Sequence, residues 1–278
     1  MSEATQAALD ARYTSVTVAL RQRLIALVLQ MFGASGSYRD EDADAFVEQI
    51  LPVVQGAQQQ MGALTDAYLS GMVADMFGGA AAARGVQIPQ AIRGVPPEEV
   101  YRRPFVTIWT ALSEGKSMTE AVRQGQTRLT SITGTDLQLV RTEATRQVLA
   151  GDSRVQFYRR VLRGSYNCAM CVIASTQRYR KERLMPIHPG CDCGTRPLPA
   201  GQDPGQVIEP DLLEAAHDAV AKAGETADRA GNIIGRRANG SLIRDYSDII
   251  IDRQHGELGP LMALRRQDFT GPKDIPGR

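Results

Sequence analysis

Apolar residues recur at three- and four-residue spacing through most of the first 150 positions, the period of helices with one buried face. Over 1–32 the stripe is Leu20, Leu24, Leu27, Val28 and Met31, with Arg21 and Arg23 off it. Gly33 to Ser37 reads as a loop. Asp40 to Gln60 carries a second stripe in Phe46, Val47, Ile50, Val53 and Val54. Pro52 is expected to kink or break this helix, because its ring removes a backbone donor. Leu64 to Phe77 predicts a third helix, with Met72, Met76 and Phe77 in the core and Gly78-Gly79 as its stop. Residues 78–97, rich in Ala, Gly and Pro, read as a linker. Pro97-Glu98-Glu99 opens a helix that runs to Leu112, with acids at the positive end of its dipole. Ser117 and Glu120 make a capping signal for a helix over Ala121–Ser131. Leu137, Val140, Ala144 and Val148 predict another over Asp136–Ala150, ended by Gly151. The expectation is an α-rich body of about seven helices over 1–150, without an internal repeat of roughly 20–50 residues.

The pattern changes after Gly151. Val155 to Leu162 is β-branched and aromatic and predicts a strand. Ala200 to Gly205 reads as linker, Asp211 to Arg229 as a solvated helix, Leu242 to Ile251 as a strand, and Gly271 to Arg278 as an extended arm. The fold class expected is α+β and predominantly α-helical. A helical body (1–150) precedes a small α+β module (151–200). A C-terminal region (201–278) follows, with a helix, a short strand and an extended tail.

Composition narrows the classes. Hydrophobic residues make up 43%, enough for a sizeable core, and aromatics only 5%, which suits helices better than a β-sandwich. Lys+Arg is 32 against Asp+Glu 31, so a globally basic DNA-coating protein is excluded, though a local basic patch is not. No uninterrupted apolar run reaches the roughly 20 residues of a membrane span, and Met1-Ser2-Glu3-Ala4 lacks a basic stretch ahead of an apolar one. Synthesis in a cytosol without membrane attachment is the expectation.

The cysteines change the picture most. All four, Cys168, Cys171, Cys191 and Cys193, fall in one short stretch, with His188 among them. Cys-x-x-Cys is a spacing at which a tight turn aims two thiolates at one ion, and His188-Pro-Gly-Cys191-Asp-Cys193 supplies further ligands. Zn²⁺ takes four ligands in a tetrahedron and five are on offer. One set is Cys168, Cys171, His188 and either Cys191 or Cys193. In the other both of the last two cysteines ligate, since residues two apart share a face in extended chain, and His188 stays off the metal. The surrounding stretch has few large apolar residues, so a metal would organise what its own core cannot. Disulfide pairing is the main alternative. A redox Cys-x-x-Cys lacks its βαβ setting, and a zinc hydrolase lacks a His-Glu-x-x-His pair. No Gly-x-Ser-x-Gly or phosphate loop is present.

The string Cys168-x-x-Cys171 followed by Pro186, His188, Pro189, Cys191 and Cys193 resembles the signature of the phage Mu F-like minor head proteins. Arg141-Thr142-Glu143 upstream is similar to a motif of that family. His255-Gly-Glu-Leu-Gly-Pro260 and Phe269-Thr-Gly-Pro272 look like versions from phages of actinobacteria. Asp192 departs from the Arg common between the last two cysteines. The resemblance covers about 136–200 and the tail. It implies a non-enzymatic minor capsid protein at the portal vertex or head interior. Such a protein would assist head assembly and DNA packaging or delivery, with a structural Zn²⁺. Its partners would be the portal protein, the major capsid protein and packaged DNA, with no small-molecule substrate. It would belong to the virion and assemble in the host cytoplasm. The competing class is a zinc-dependent nuclease or hydrolase acting on nucleic acid.

A basic stretch lies across the same region: Arg154, Arg159, Arg160, Arg163, Arg178, Arg180, Lys181 and Arg183, with Tyr158, Tyr166 and Tyr179 interleaved and Glu182 as its one acid. It reads either as a phosphate-facing patch for duplex DNA, sequence-independent and salt-sensitive, or as a solvated face paired with the acidic helix Asp211–Asp228.

Overall fold

A computed structural model of the chain describes residues 3–163, 167, 169–187, 191, 193–199, 205, 207–223, 232–236, 242–245, 250–255 and 259–264. The protein is predominantly helical with a small three-stranded antiparallel sheet. Its elements are α1 (Glu3–Gly33), α2 (Asp40–Phe77), α3 (Pro97–Ser113), α4 (Met118–Ala150), β1 (Val155–Val161), α5 (Ala169–Ser175), β2 (Arg178–Arg180), a 3₁₀ turn (Lys181–Arg183), β3 (Gly194–Pro199), α6 (Pro210–Ala223), β4 (Asn232–Arg236), β5 (Leu242–Asp245), β6 (Ile250–His255) and β7 (Gly259–Leu264). Two compact units divide the chain: Met1–Ser70 with Ala82–Thr145 and Glu257–Gly259, and Gly71–Ala81 with Arg146–Gly256 and Pro260–Arg278.

The helices ahead of residue 151 are fewer and longer than the periodicity predicts. Pro52 sits inside α2 without ending it. Proline in a helix interior costs about 3 kcal/mol. Ile50, Leu51 and Val54 beside it are buried, and each such side chain gains roughly 1.5–3 kcal/mol by leaving water, so burial wins. Pro52 itself lies on the exposed face. Gly134 likewise falls within α4 rather than between two helices. Leu129, Ile132, Leu137, Val140 and Ala144 continue one buried stripe across it, and a glycine's helix penalty of about 1 kcal/mol is too small to interrupt that. In α1 the buried stripe is Leu24, Val28 and Phe32, while Leu27 is 41% exposed. Between Gln6 and Gly33 this helix is long and apolar enough to cross a membrane by length and composition alone, because its charges are sparse rather than absent.

The first unit closes on an aromatic cluster. Phe32 packs edge-on against Phe46 and Phe105, with centroids 5.4 and 5.0 Å apart, and the Trp109 indole N–H donates to Tyr38 O at 2.8 Å. Residues 82–96 form no helix or strand, yet they are a strap rather than a loose linker. The buried Asp66 carboxylate accepts backbone N–H bonds from Arg84 (2.9 Å), Gly85 (2.8 Å) and Val86 (3.2 Å), and the Ser70 hydroxyl (2.9 Å). Ile88 is buried against Gly62 of α2, where a side chain would collide with it. Arg93 Nε meets Asp136 at 2.5 Å, and the Tyr101 hydroxyl donates to the same carboxylate at 2.8 Å.

In the second unit β1 is the central strand, with β2 and β3 antiparallel on its flanks. Phe157 pairs with Arg180 and Leu198, and Tyr158 with Tyr179 and Pro197. The helix expected over Asp211–Arg229 is present as α6, its last expected residues lying outside the described chain. The single strand expected over Leu242–Ile251 is divided between β5, which pairs with β4, and β6, which pairs with β7. The expected arm Gly271–Arg278 lies outside the described residues.

Burial raises the Asp66 carboxyl, but the four donors around it outweigh burial and hold it below its ordinary 3.8. A depressed carboxylate stabilises the fold above its unfolded pKa of about 3.9 and ceases to as pH falls through the folded value. Asp66→Asn is expected to lose about 1.5–3 kcal/mol at neutral pH, the usual worth of hydrogen bonds to a charged group. The deficit against the wild type should shrink below pH ~4. Urea unfolding at both pH values, with amide exchange at Arg84 to Val86, measures it.

Candidate metal centre

The register of β1 with β3 builds one side of the centre. Val161 faces Gly194 and Arg160 faces Thr195, so Cys193, which immediately precedes β3, arrives beside the end of β1. Helix α5 supplies the other side through Cys171 in its first turn, with Met170 and Ala174 buried around it. The buried Ile187 leads the chain toward Cys191. The sulfurs of Cys171 and Cys191 are 3.2 Å apart and those of Cys191 and Cys193 3.0 Å apart. All three lie within 4.8 Å of one another. The Cys193 N–H also donates to Cys191 Sγ at 3.4 Å.

These residues are close enough to hold a metal ion. A tetrahedral zinc with Zn–S bonds of about 2.3 Å places its sulfurs roughly 3.8 Å apart, a small expansion of the separations seen. A disulfide needs about 2.05 Å, and two cysteines only two residues apart in extended chain are poorly placed to form one. The donors are soft thiolates, which select zinc, copper(I) or iron–sulfur chemistry over magnesium or calcium. Among the described residues Met170, Cys171, Ala174, Ile187, Cys191, Cys193 and Met262 form the buried cluster here, so sulfur makes up much of it. Of the five ligands expected, Cys171, Cys191 and Cys193 are brought together, and Cys168 and His188 lie outside the described residues.

The centre suits a cation electrostatically. The bond with Cys171 pulls the Cys191 thiol down, but the bond to Cys193, burial and the Cys193 charge together push it up to about 12. Without a cation the Cys191 thiol therefore resists ionisation at neutral pH, and a bound cation reverses that by supplying the charge the site lacks.

The basic stretch is not one surface. Arg160 and Arg163 are 4% and 7% exposed and point into the protein, which withdraws them from any phosphate-facing patch. The alternation of β1 decides this, since Arg160 shares a face with the fully buried Tyr158. Arg159 pairs with Glu209 at 2.6 Å, just ahead of α6 rather than on the acidic helix expected. Arg154 pairs with Asp152 at 2.8 Å and lies over the Phe77 ring. Lys181 Nζ donates to the carbonyls of Leu149 and Asp152 at 3.2 and 2.8 Å, the end of α4. Arg178 lies 4.1 Å from the Phe157 centroid. Arg180 and Arg183 are exposed. Tyr166 lies outside the described residues.

Three partners of the centre were not legible beforehand. Met262 of β7 is buried against the thiols, and its N–H donates to Pro186 O at 2.8 Å. The Arg160 guanidinium lies over Cys193, with Nη1 4.0 Å from its sulfur. Arg163 packs flat on Gly194, where a methyl group would fall inside its guanidinium. The Gly194 signal was available, as a glycine directly after Cys-x-Cys, but its neighbour was not.

Gly194→Ala is therefore expected to displace Arg163 and the start of β3, at about 1–3 kcal/mol, the usual cost of forcing extra volume into a filled site. Denaturant unfolding followed by far-UV circular dichroism measures the loss, and an unchanged midpoint would contradict the packing described.

Comparison with protein-family models, with curated proteins and with solved structures returned no match for this chain.

Proposed function

We propose that this chain is a minor structural protein of a phage head, of the Mu F-like kind, whose Cys-rich module is stapled by a structural Zn²⁺. The observation that carries the reading is the meeting of Cys171 with Cys191 and Cys193 in a buried cluster, at the positions where the motif resemblance expects ligands. Cys168 or His188 would complete the tetrahedron. When bound, the ion cross-links thiolates and supplies about 10–16 kcal/mol of folding free energy at neutral pH. The chain's own residues do the rest. Cys171 ties α5 to the lead-in of β3, and the β1–β3 pairing fixes the direction of that lead-in.

A structural role is favoured over a catalytic one by burial. The three thiols are only 3%, 5% and 5% exposed, whereas a catalytic zinc keeps a position open to substrate. In this reading the protein is not an enzyme. It assembles in the host cytoplasm, remains in the virion and meets the portal and major capsid proteins. Its contact with packaged DNA is secondary: of the basic stretch, Arg180 and Arg183 are the exposed members that carry no ion pair named above, and such contacts are sequence-independent.

Metal analysis of the purified chain is expected to give one zinc per chain. Cys171→Ser should lose the metal and the fold of residues 146–256 while α1 stays helical, and no DNA should be cleaved. Mass spectrometry of finished particles should contain the chain. Its absence there would overturn the virion assignment, and a metal-free chain with full structure would overturn the zinc.

A further inference from the structure

Arg160 carries a full charge in a place built for a neutral side chain. It is the central-strand residue beside the fully buried Tyr158, and its guanidinium lies 5.5 Å from that ring's centroid. Nη2 donates to Met185 O and approaches Met262 Sδ at 3.9 Å, while Nη1 faces Cys193 Sγ at 4.0 Å. Its Nε finds no acceptor among the described residues. The groups able to take negative charge around it are Cys193, Cys191, Tyr158 and Tyr179, and no carboxylate among the described residues stands with them. The Tyr179 hydroxyl donates to Ala174 O at 3.1 Å, and Cys193 is the group the guanidinium directly faces, with Cys191 Sγ 3.0 Å beyond it.

We infer that Arg160 is the charge-balancing residue of the thiolate centre, offsetting the surplus negative charge that Cys191 and Cys193 bring to a bound divalent cation. The inference rests on the zinc reading above and adds a residue to it. Three thiolates and one neutral ligand leave a divalent site one negative charge in excess, and four thiolates leave two. In a dry core that excess requires a cation close by. Arg160 is held for this by β1, whose alternation aims it inward, and by the Met185 carbonyl, which fixes one edge of its fork. Without a bound ion that surplus is absent, and the guanidinium keeps only neutral neighbours such as the Met185 carbonyl, the Met262 sulfur and the Tyr158 ring. Arg160 thus favours the metal-loaded state over the empty one.

The experiment compares Arg160→Gln and Arg160→Lys with the wild type in the full chain, using Zn²⁺ and Cd²⁺ as probes. Chelator competition reads affinity, and the cadmium–thiolate absorption band counts the thiolates bound. The lysine variant should bind within about threefold of the wild type and the glutamine variant about 10–100-fold more weakly, with the same thiolate count. In the metal-free chain the glutamine variant should melt no lower than the wild type. Unchanged affinity in Arg160→Gln overturns the proposal, as does an equal loss in both variants. So does a drop in melting temperature by Arg160→Gln that is the same with and without metal, which would mark a packing role. A wild-type chain that takes up neither ion overturns the zinc reading and this proposal with it. The other results overturn this proposal alone.

Discussion

The sulfur side of the second unit depends on three thiols meeting in a small buried cluster. Among the described residues seven buried side chains make up the cluster at the cysteines, and three of them are the cysteines themselves. The sulfurs come from two separate pieces of chain, Cys171 from a short helix and Cys191 and Cys193 from the approach to a strand. A helix of seven residues has almost no stability of its own in water, and a three-residue edge strand has less. What holds them is therefore tertiary: the two-sided burial of β1, the stacking of Tyr158 on Tyr179 at 5.4 Å, and the convergence of thiols that a cation would lock.

The charges around that centre follow from the same packing. Arg160 lies inside because it shares the face of β1 that buries Tyr158, and Arg163, just past the strand, is buried against Gly194. A buried guanidinium is costly unless something nearby carries opposite charge, and thiolates are the groups at hand. The basic stretch, which the sequence leaves open between a phosphate-facing patch and a solvated face, is thereby divided. Part of it serves the interior, part caps the end of α4 or pairs with Asp152 and Glu209, and Arg154, Arg180 and Arg183 are exposed.

The first unit solves a different problem. Long helices bury continuous apolar stripes, and the strap over 82–96 is tied to them by two buried carboxylates. Asp66 gathers three successive backbone N–H groups, and Asp136 joins Arg93 to Tyr101. Such pairs are strongly destabilising to break, because removal of one partner leaves the other unsatisfied in a dry site. An Ala- and Gly-rich segment that reads as linker is in this way held in one path by groups that carry no periodic signal.

The sequence alone determined which residue types cluster and where helical periodicity begins: the starts of α1, α2 and α3, the strand β1, and the grouping of cysteines that points to a metal. These are local properties, set by spacing along the chain. Whether Pro52 and Gly134 interrupt a helix was decided by tertiary structure, because both sides of each are buried and burial outweighs the local penalty. So was the inward turn of Arg160, which a strand covered on one face would have presented to solvent. So was the placement of Met262, since a side chain far along the chain enters the thiol core only through the fold. Packing of distant segments is a sum over many weak contacts, and no window of sequence contains it.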